Sequence, residues 1–309
     1  MRLTTPSPAH TATLTPHLAA THAVLDGDRL VGGLALSRPR PGTSELSVWV
    51  VPGERRRGVA TRAVRALCRD TGERVELVTA ITDTTSQKVA LNAGFTREAV
   101  RRGGTLRDGA RQDDVVWAWL PGDGHGPVRR ALPCLPGGAL ADGEVTLRPT
   151  DLTDVDDLLY LDNLPDVRAR SLSRHERTRP EIERRCAGAA SDWLAGMRAE
   201  LTILVDGAFG GSISLFNEAF SRQAMVGYSV LPQLRGRGAA TRAVRLLSGW
   251  AFEIGVRRLA AGTMTDNVAS QRVLAKAGFI REGIQRSRFE GAGGIRVDDV
   301  TYVLFPGPG

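Results

Sequence analysis

One fifteen-residue stretch occurs twice in this chain of 309 residues, and the distance between the copies limits the fold more than any other feature. Residues 231–245 read LPQLRGRGAATRAVR and residues 51–65 read VPGERRRGVATRAVR, sharing the unbroken hexapeptide ATRAVR. A separation of 180 residues is the size of a whole domain rather than of a solenoid repeat. The chain is therefore read as two domains of related architecture. Each copy joins the end of a strand, a Gly-rich turn and the start of a helix, so both halves are expected to mix strands with helices.

The composition, 42% apolar and 24% charged, supplies enough apolar groups for a core in each half. Net charge is +7 and is carried almost wholly by Arg. Such a balance favours anionic ligands, but the cations are scattered rather than gathered on one stripe, which makes nucleic acid an unlikely partner. Cys68, Cys134 and Cys186 are isolated, without CxxC or Cys/His spacing, so neither a disulfide framework nor a metal site is indicated. No apolar run reaches the ~18 residues of a membrane span, and residues 1–20 hold too many Thr, Pro and His for a signal-peptide core. A cytoplasmic location, with no membrane partner, is the expectation.

Along the first half, strands are expected in AATHAVLDG, RLVGGLALS (29–37) and SELSVWVV (44–51), followed by a helix over 58–68, where Val59, Ala63, Val64 and Leu67 fall at helical spacing. A strand over 75–80, a short helix over 84–92 closed by Gly94, and a last strand over 113–120 complete it. Residues 121–143 contain PGDGHG and PGG without an apolar period, and 122–143 reads as a linker, with His125 solvated in it. The second half opens with a strand in EVTLRPT, after which Thr150 is placed to cap the helix LTDVDDLLYLDN. A second helix spans 180–197. These two helices have no counterpart in the first half. The shared order then resumes with strands in AELTILVDG, AFGGSISLFN and QAMVGYSVLP, the repeated turn, a helix over 239–254, the strand RRLAAGTM, a helix over 268–277 and a closing strand VDDVTYVLF.

A strand that ends in a Gly-rich turn and passes at once into a helix aims several backbone N–H groups, and the positive end of the helix dipole, at one place. Gly236 and Gly238 leave room for an anion there, and Arg235 and Arg237 carry charge to neutralise it. The turn lacks the GK[ST] of a phosphate-binding Walker loop and the GxGxxG of a dinucleotide fold. Gln233, Arg235, Gly236, Gly238 and Ala239 instead resemble the Q-x-x-G-x-G/A motif of the GCN5-related N-acetyltransferases (GNAT). Further on, Asn267, Ser270, Val273, Lys276, Gly278 and Phe279 are spaced as N-x-x-S-x-x-V-x-x-K-x-G-F, similar to the ribosomal-protein alanine and serine N-acetyltransferase branch of that family.

The resemblance implies an α/β (α+β) protein of two tandem GNAT folds, each a mixed, mostly antiparallel sheet flanked by helices. Residues 1–121 would form a truncated copy without the two N-terminal helices, and residues 144–309 a complete one. It implies acetyl-CoA as co-substrate, with no metal, and direct transfer of the acetyl group to a primary amine of a protein N-terminus or small molecule. The pyrophosphate grip falls on Val230, Gln233, Leu234, Arg235, Gly236, Arg237, Gly238, Ala239 and Ala240, with Asn267 at the pantetheine arm. Ser270 is the candidate acid for the departing thiolate and Tyr228 a donor to the oxyanion or thiolate, although Ser270 and Asn267 read equally as helix caps and Tyr228 as a core residue. Many members carry a Glu where this half has Met225, so the base is sought further on, at Glu290, with Glu282 as the other carboxylate.

In the first half Arg55, Arg57, Gly58 and Ala60 keep the grip, and Ser86 matches Ser270. Glu45 stands at the position of Met225, but Arg56 replaces Gly236, Gly53 replaces Gln233 and Asp83 replaces Asn267. The alternative for this half is therefore a non-catalytic module that binds acyl-CoA or serves as a scaffold. The two halves are expected to pack on one another as two subunits would.

Overall fold

The computed structural model describes residues 1–107, 109–124, 126–128, 130–171, 174–291 and 294–307. It divides into two compact units, Met1–Arg129 and Arg130–Gly309. His125 lies outside the described residues. No helix among them is long and apolar enough to cross a membrane.

The first unit runs β1 (Arg2–Thr4), α1 (Pro8–Leu14), β2 (His22–Asp26), β3 (Arg29–Arg40), β4 (Thr43–Val50), α2 (Val59–Asp70), β5 (Arg74–Ala80), α3 (Thr84–Ala93), β6 (Thr96–Arg107) and β7 (Ala110–Trp119). Its sheet has the order β1-β2-β3-β4-β5-β7-β6, antiparallel except between β4 and β5.

The second unit runs β8 (Leu140–Ala141), β9 (Val145–Pro149), α4 (Val155–Asn163), α5 (Pro165–Arg170), α6 (Arg179–Leu194), β10 (Arg198–Val205), β11 (Ala208–Glu218), β12 (Gln223–Val230), α7 (Ala239–Glu253), β13 (Arg258–Met264), α8 (Val268–Lys276), β14 (Ile280–Glu290) and β15 (Arg296–Leu304). Its sheet order, β14-β15-β13-β12-β11-β10-β9-β8, repeats the first with β8 added at one edge. The parallel pair is now β12 and β13.

The repeated turn does the same work in both units. Gly58 and Gly238 are the N-caps of α2 and α7 and hold φ of +72° and +90°, a left-handed conformation that glycine adopts without a Cβ penalty. Behind them Val59, Ala63, Val64 and Leu67, and Ala239, Ala243, Val244 and Leu247, bury one helical stripe each. In the second unit that stripe meets Ala224, Val226, Leu259 and Val300 of the sheet in one core.

Four features depart from the sequence reading. A helix, α1, occupies the N-terminal stretch of the first unit, where only a strand fragment was expected. Ser7 caps it by accepting from His10 N–H, Pro8 opens it, and Leu14 anchors it in the core. Thr150 does not cap the next helix. Its hydroxyl is buried against that of Thr202 at 3.1 Å, while Asp151 accepts from Thr153 N–H at 2.8 Å and supplies the cap. β6 and β14 are long edge strands, almost wholly exposed and interrupted by register shifts. Polar sequence and bulges are how a sheet edge discourages further pairing, so these strands carry no apolar alternation to read.

The fourth departure is the expected linker. Val128 N–H donates to Leu91 O in the first unit. Leu132 and Leu135 are buried in the core of the second, and Leu140 and Ala141 form its edge strand. We predict that Leu132→Ala, in the full chain, lowers the stability of the second unit by roughly 2–5 kcal/mol in urea unfolding. A change too small to move the midpoint would mean that residues 130–141 are a free tether.

Candidate active site

Side chains alternate across the second sheet. Ala224 and Val226 of β12, Leu259 and Ala261 of β13, and Val300 and Tyr302 of β15 join the apolar core with α7 and α8, and Tyr228 and Val230 pack against it. The intervening residues Met225, Gly227, Ser229, Ala260, Gly262, Met264, Asp299 and Thr301 belong to the other face, and all of them line a cleft of about 1490 Å³.

The cleft exists because the parallel pair is short. β12 and β13 are in register only for Gln223–Arg258, Ala224–Leu259 and Met225–Ala260. Beyond that β12 stays paired with β11 as far as Val230, and β13 with β15 as far as Met264. The backbone groups that a continuous ladder would consume are left turned into the gap, where a ligand can satisfy them.

At the end of β12 the chain makes a 3-10 turn, Pro232–Leu234, and enters α7 through Gly236 (φ +76°) and Gly238 (φ +90°). A Cβ on either glycine would meet nothing within 4 Å. The backbone conformation, not crowding, requires them. Val230, Leu234, Arg235, Gly236, Arg237, Gly238, Ala239 and Ala240 all line the cleft, whereas Gln233 is exposed and does not. Arg235 is turned back on the strand end, donating to Val230 O at 3.3 Å, and is ion-paired with Asp166 of α5.

Tyr228, Ser270 and Asn267 come together. The Asn267 carboxamide accepts from Ser270 N–H at 3.2 Å and caps α8, as the cap reading expected. The Tyr228 and Ser270 hydroxyls are 2.9 Å apart, and Tyr228 also donates to Ser270 O at 3.3 Å. Burial pushes the Tyr228 phenol up to about 12, with the Ser270 hydrogen bond pulling the other way. At neutral pH this pair holds its protons and can give one up, but it does not take one.

The other side of the cleft is polar. Glu200 is buried between Arg185, which donates to it at 2.9 Å, and Arg198, whose Nε is 3.1 Å away. Arg185 also holds Asp162 at 2.7 Å. Glu282 lines the cleft but is ion-paired with Arg258 at 2.7 Å. Glu290 ends β14 opposite Arg296 and is outside the lining, so the structure does not bring it to Tyr228 and Ser270.

Two matches to family models bear on this arrangement. Residues 144–280 match an acetyltransferase (GNAT) domain and residues 4–95 match the acetyltransferase (GNAT) family. The chain belongs to the GNAT acetyltransferases. In fold it is similar to Mycobacterium smegmatis RimJ in complex with CoA-disulfide (23% identical, TM-score 0.50, 54% of this chain and 86% of that one). It is also similar to a ribosomal L7/L12 alpha-N-protein acetyltransferase in complex with coenzyme A (18% identical, TM-score 0.51, 54% of this chain and 97% of that one).

Two Bacillus subtilis (strain 168) relatives are closer in sequence. "Probable N-acetyltransferase YjcK" is 38% identical over 99 residues, 31% of this chain and 55% of that protein. "Putative ribosomal N-acetyltransferase YdaF" is 35% identical over 107 residues, 34% of this chain and 58% of that protein. The chain thus spans little more than half the length of these relatives.

The first GNAT unit keeps the turn and differs in the residues around it. Gly58 is left-handed at φ +72°, and Arg56 adopts φ +62° where the second unit has Gly236. Arg55 donates to Val50 O at 3.2 Å, as Arg235 does to Val230, while Arg57 is paired with Glu54 at 3.2 Å and Ala60 lies in the first turn of α2. Asp83 caps α3 through Ser86 N–H at 3.0 Å. Val48 replaces Tyr228, so the hydroxyl pair is gone. Trp49 replaces Ser229 and stacks on His17 at 4.4 Å. In register with Glu45, Glu76 stands where the second unit has Ala260 beside Met225. Its buried carboxylate is held by Arg74 at 2.9 Å, Arg101 at 3.6 Å and Arg40.

Sequence reasoning passed over Val48, Trp49 and Asp299. Setting VWVVP beneath YSVLP shows the first two, and the third lies in a DDV tripeptide present in both halves, at 113–115 and 298–300. The raised Tyr228 pKa is testable. A group whose folded pKa exceeds its unfolded value lends stability below the latter, and loses it as pH rises through the former. Between about 10 and about 12 the wild type should therefore lose stability more steeply than Tyr228→Phe in urea unfolding at stepped pH. Parallel curves would place the phenol in water.

Proposed function

We propose that this protein is an acetyl-CoA-dependent N-acetyltransferase whose second unit transfers the acetyl group to a primary amine by direct attack. One observation carries the reading. The gap between β12 and β13 has an anion cradle and a protonated Tyr228–Ser270 pair at one side and an open polar face at the other. The left-handed glycine turn and the N-terminus of the fifteen-residue α7 suit a pyrophosphate. Unpaired backbone along β12 suits an extended arm laid beside it, with Asn267 at the same wall.

Acetyl-CoA supplies the activated acyl group, and the chain's residues hold, orient and move protons. Tyr228 with Ser270 protonates the departing sulfur, and backbone N–H groups at the gap receive charge that develops on the acyl oxygen. Direct attack is supported by the cysteines. None of the three lines the cleft, and burial pushes the Cys68 and Cys186 thiols up to about 12 and about 11, so neither offers a thiolate to carry the acyl group. The acceptor is a protein N-terminus or a small-molecule amine, and the ribosomal name of one relative favours the former.

The first unit, by a second reading, is a non-catalytic acyl-CoA-binding or scaffolding module. The loss of the hydroxyl pair and the filling of its open face by Trp49, His17 and the Glu76 ion pairs support this.

The test is release of free CoA by the full chain against a panel of peptides and small amines. Tyr228→Phe is expected to lower kcat about 10²-fold with acetyl-CoA binding unchanged, and Ser270→Ala to act in the same direction. Ser86→Ala is expected to leave the rate alone. Wild-type rates for both second-unit variants would remove the assignment, and a loss with Ser86→Ala would make the first unit catalytic.

A further inference from the structure

The reaction needs an acceptor for the amine's proton, and the buried hydroxyl pair cannot serve. We propose that Asp299 is that acceptor: its carboxylate lies in the interior of β15, on the open face of the sheet, beside the gap through which the amine meets the thioester. The proposal rests on the acetyl-transfer reading of the second unit.

Three observations carry it. Asp299 is opposite Met264, the last residue of β13, so it stands where that strand has already parted from β12. It lines the cleft together with Tyr228, Ser270, Gly227 and Ser229. Gly262 makes room for it, since a Cβ there would come within 2.6 Å of Asp299 Oδ2. The residue is 2% exposed, and among the described residues Oδ1 has no hydrogen-bond partner. A buried carboxylate oxygen left unmatched is costly unless something else uses it.

The other unit supplies the contrast. Asp113 and Asp298, the first of each DDV, do identical structural work, accepting from Gly103 N–H and Ser287 N–H at 2.8 Å at the bulge of the edge strand. The second aspartates differ. Asp114 is occupied by the Thr105 hydroxyl and by Arg107 at 3.2 Å, and it leans on Gly104 of the edge strand. Asp299 leans instead on Gly262, for which the first unit has Val78, the residue in register with Val116 as Gly262 is with Thr301.

The charged groups around Asp299 are few. Arg288 of β14 approaches Oδ2 at 3.7 Å, Arg174 reaches Met264 Sδ at 3.8 Å, and β13 offers Gly262, Thr263 and Met264, none of which titrates. Burial pushes the Asp299 carboxyl up, with Arg288 and the Thr263 backbone pulling it down.

The step balances as follows. The nitrogen lone pair forms the N–C bond, the C–S bond breaks with its electrons going to sulfur, and the surplus proton on nitrogen passes to Asp299. Sulfur takes its proton from the Tyr228–Ser270 pair. Both groups then reset by proton exchange with solvent.

The experiment is the pH profile of kcat/KM for the amine, in the full chain, with acetyl-CoA binding followed by calorimetry. Asp299→Asn is expected to lower kcat/KM by about 10²–10⁴-fold and to remove the acid limb of the profile, with binding unchanged. Arg288→Gln, which leaves the carboxylate in place, is expected to move the acid limb to higher pH. A wild-type profile for Asp299→Asn, or an unmoved limb for Arg288→Gln, overturns this proposal alone. A wild type that binds acetyl-CoA and acetylates no amine overturns the transfer reading and this proposal with it.

Discussion

In a parallel pair each strand commits its facing backbone groups to its neighbour. β12 and β13 do so across three residue pairs and then separate, each still held by its outer partner. The sheet is thereby both rigid and open. Its outer ladders fix the two lips of the gap, and the lips carry unspent N–H and C=O groups between an apolar face sealed by α7 and α8 and a polar face walled by α5 and α6. A gap of this kind lets two reactants meet from opposite sides of one sheet, in a geometry set by strands rather than by loops.

The two units show what such a frame tolerates. β4 and β5 also pair over only three residues, and the turn after β4 retains its left-handed entry even though Arg56 occupies one position at a cost of about 1–2 kcal/mol relative to glycine. What differs is the lining. Where the second unit has a tyrosine, a serine and an alanine, the first has a valine, a tryptophan and a glutamate locked by three arginines. The core depends on the frame, which both units share, and not on the lining, in which they differ.

This division also explains what could be read from the sequence. Turns and helix starts are local, so the cradle at 231–245, the cap at Asn267 and the strands feeding them are legible from residue type and spacing. β6 and β14 are not, because an exposed edge has no apolar alternation. Segment 122–143 reads as a linker from its Pro and Gly, although Leu132 and Leu135 are core residues. Glu290 reads as the base because the final hairpin of such folds often borders the acceptor site, yet it lies outside the cleft lining. Asp299 sits inside a strand whose neighbours read as core, and only the register with β13 and the absence of a side chain at Gly262 reveal that it is turned to the cleft side of the sheet.

The central claim is that transfer occurs through the gap in the second sheet, and Gly262 is its narrowest test. Gly262→Val installs the first unit's residue, whose Cβ would crowd Asp299 from the acceptor side, on the face opposite the Tyr228–Ser270 pair. Acetyl-CoA turnover by this variant of the full chain, with acetyl-CoA binding measured in parallel, is the direct measurement. The account predicts that binding persists and turnover is lost; undiminished turnover would contradict it.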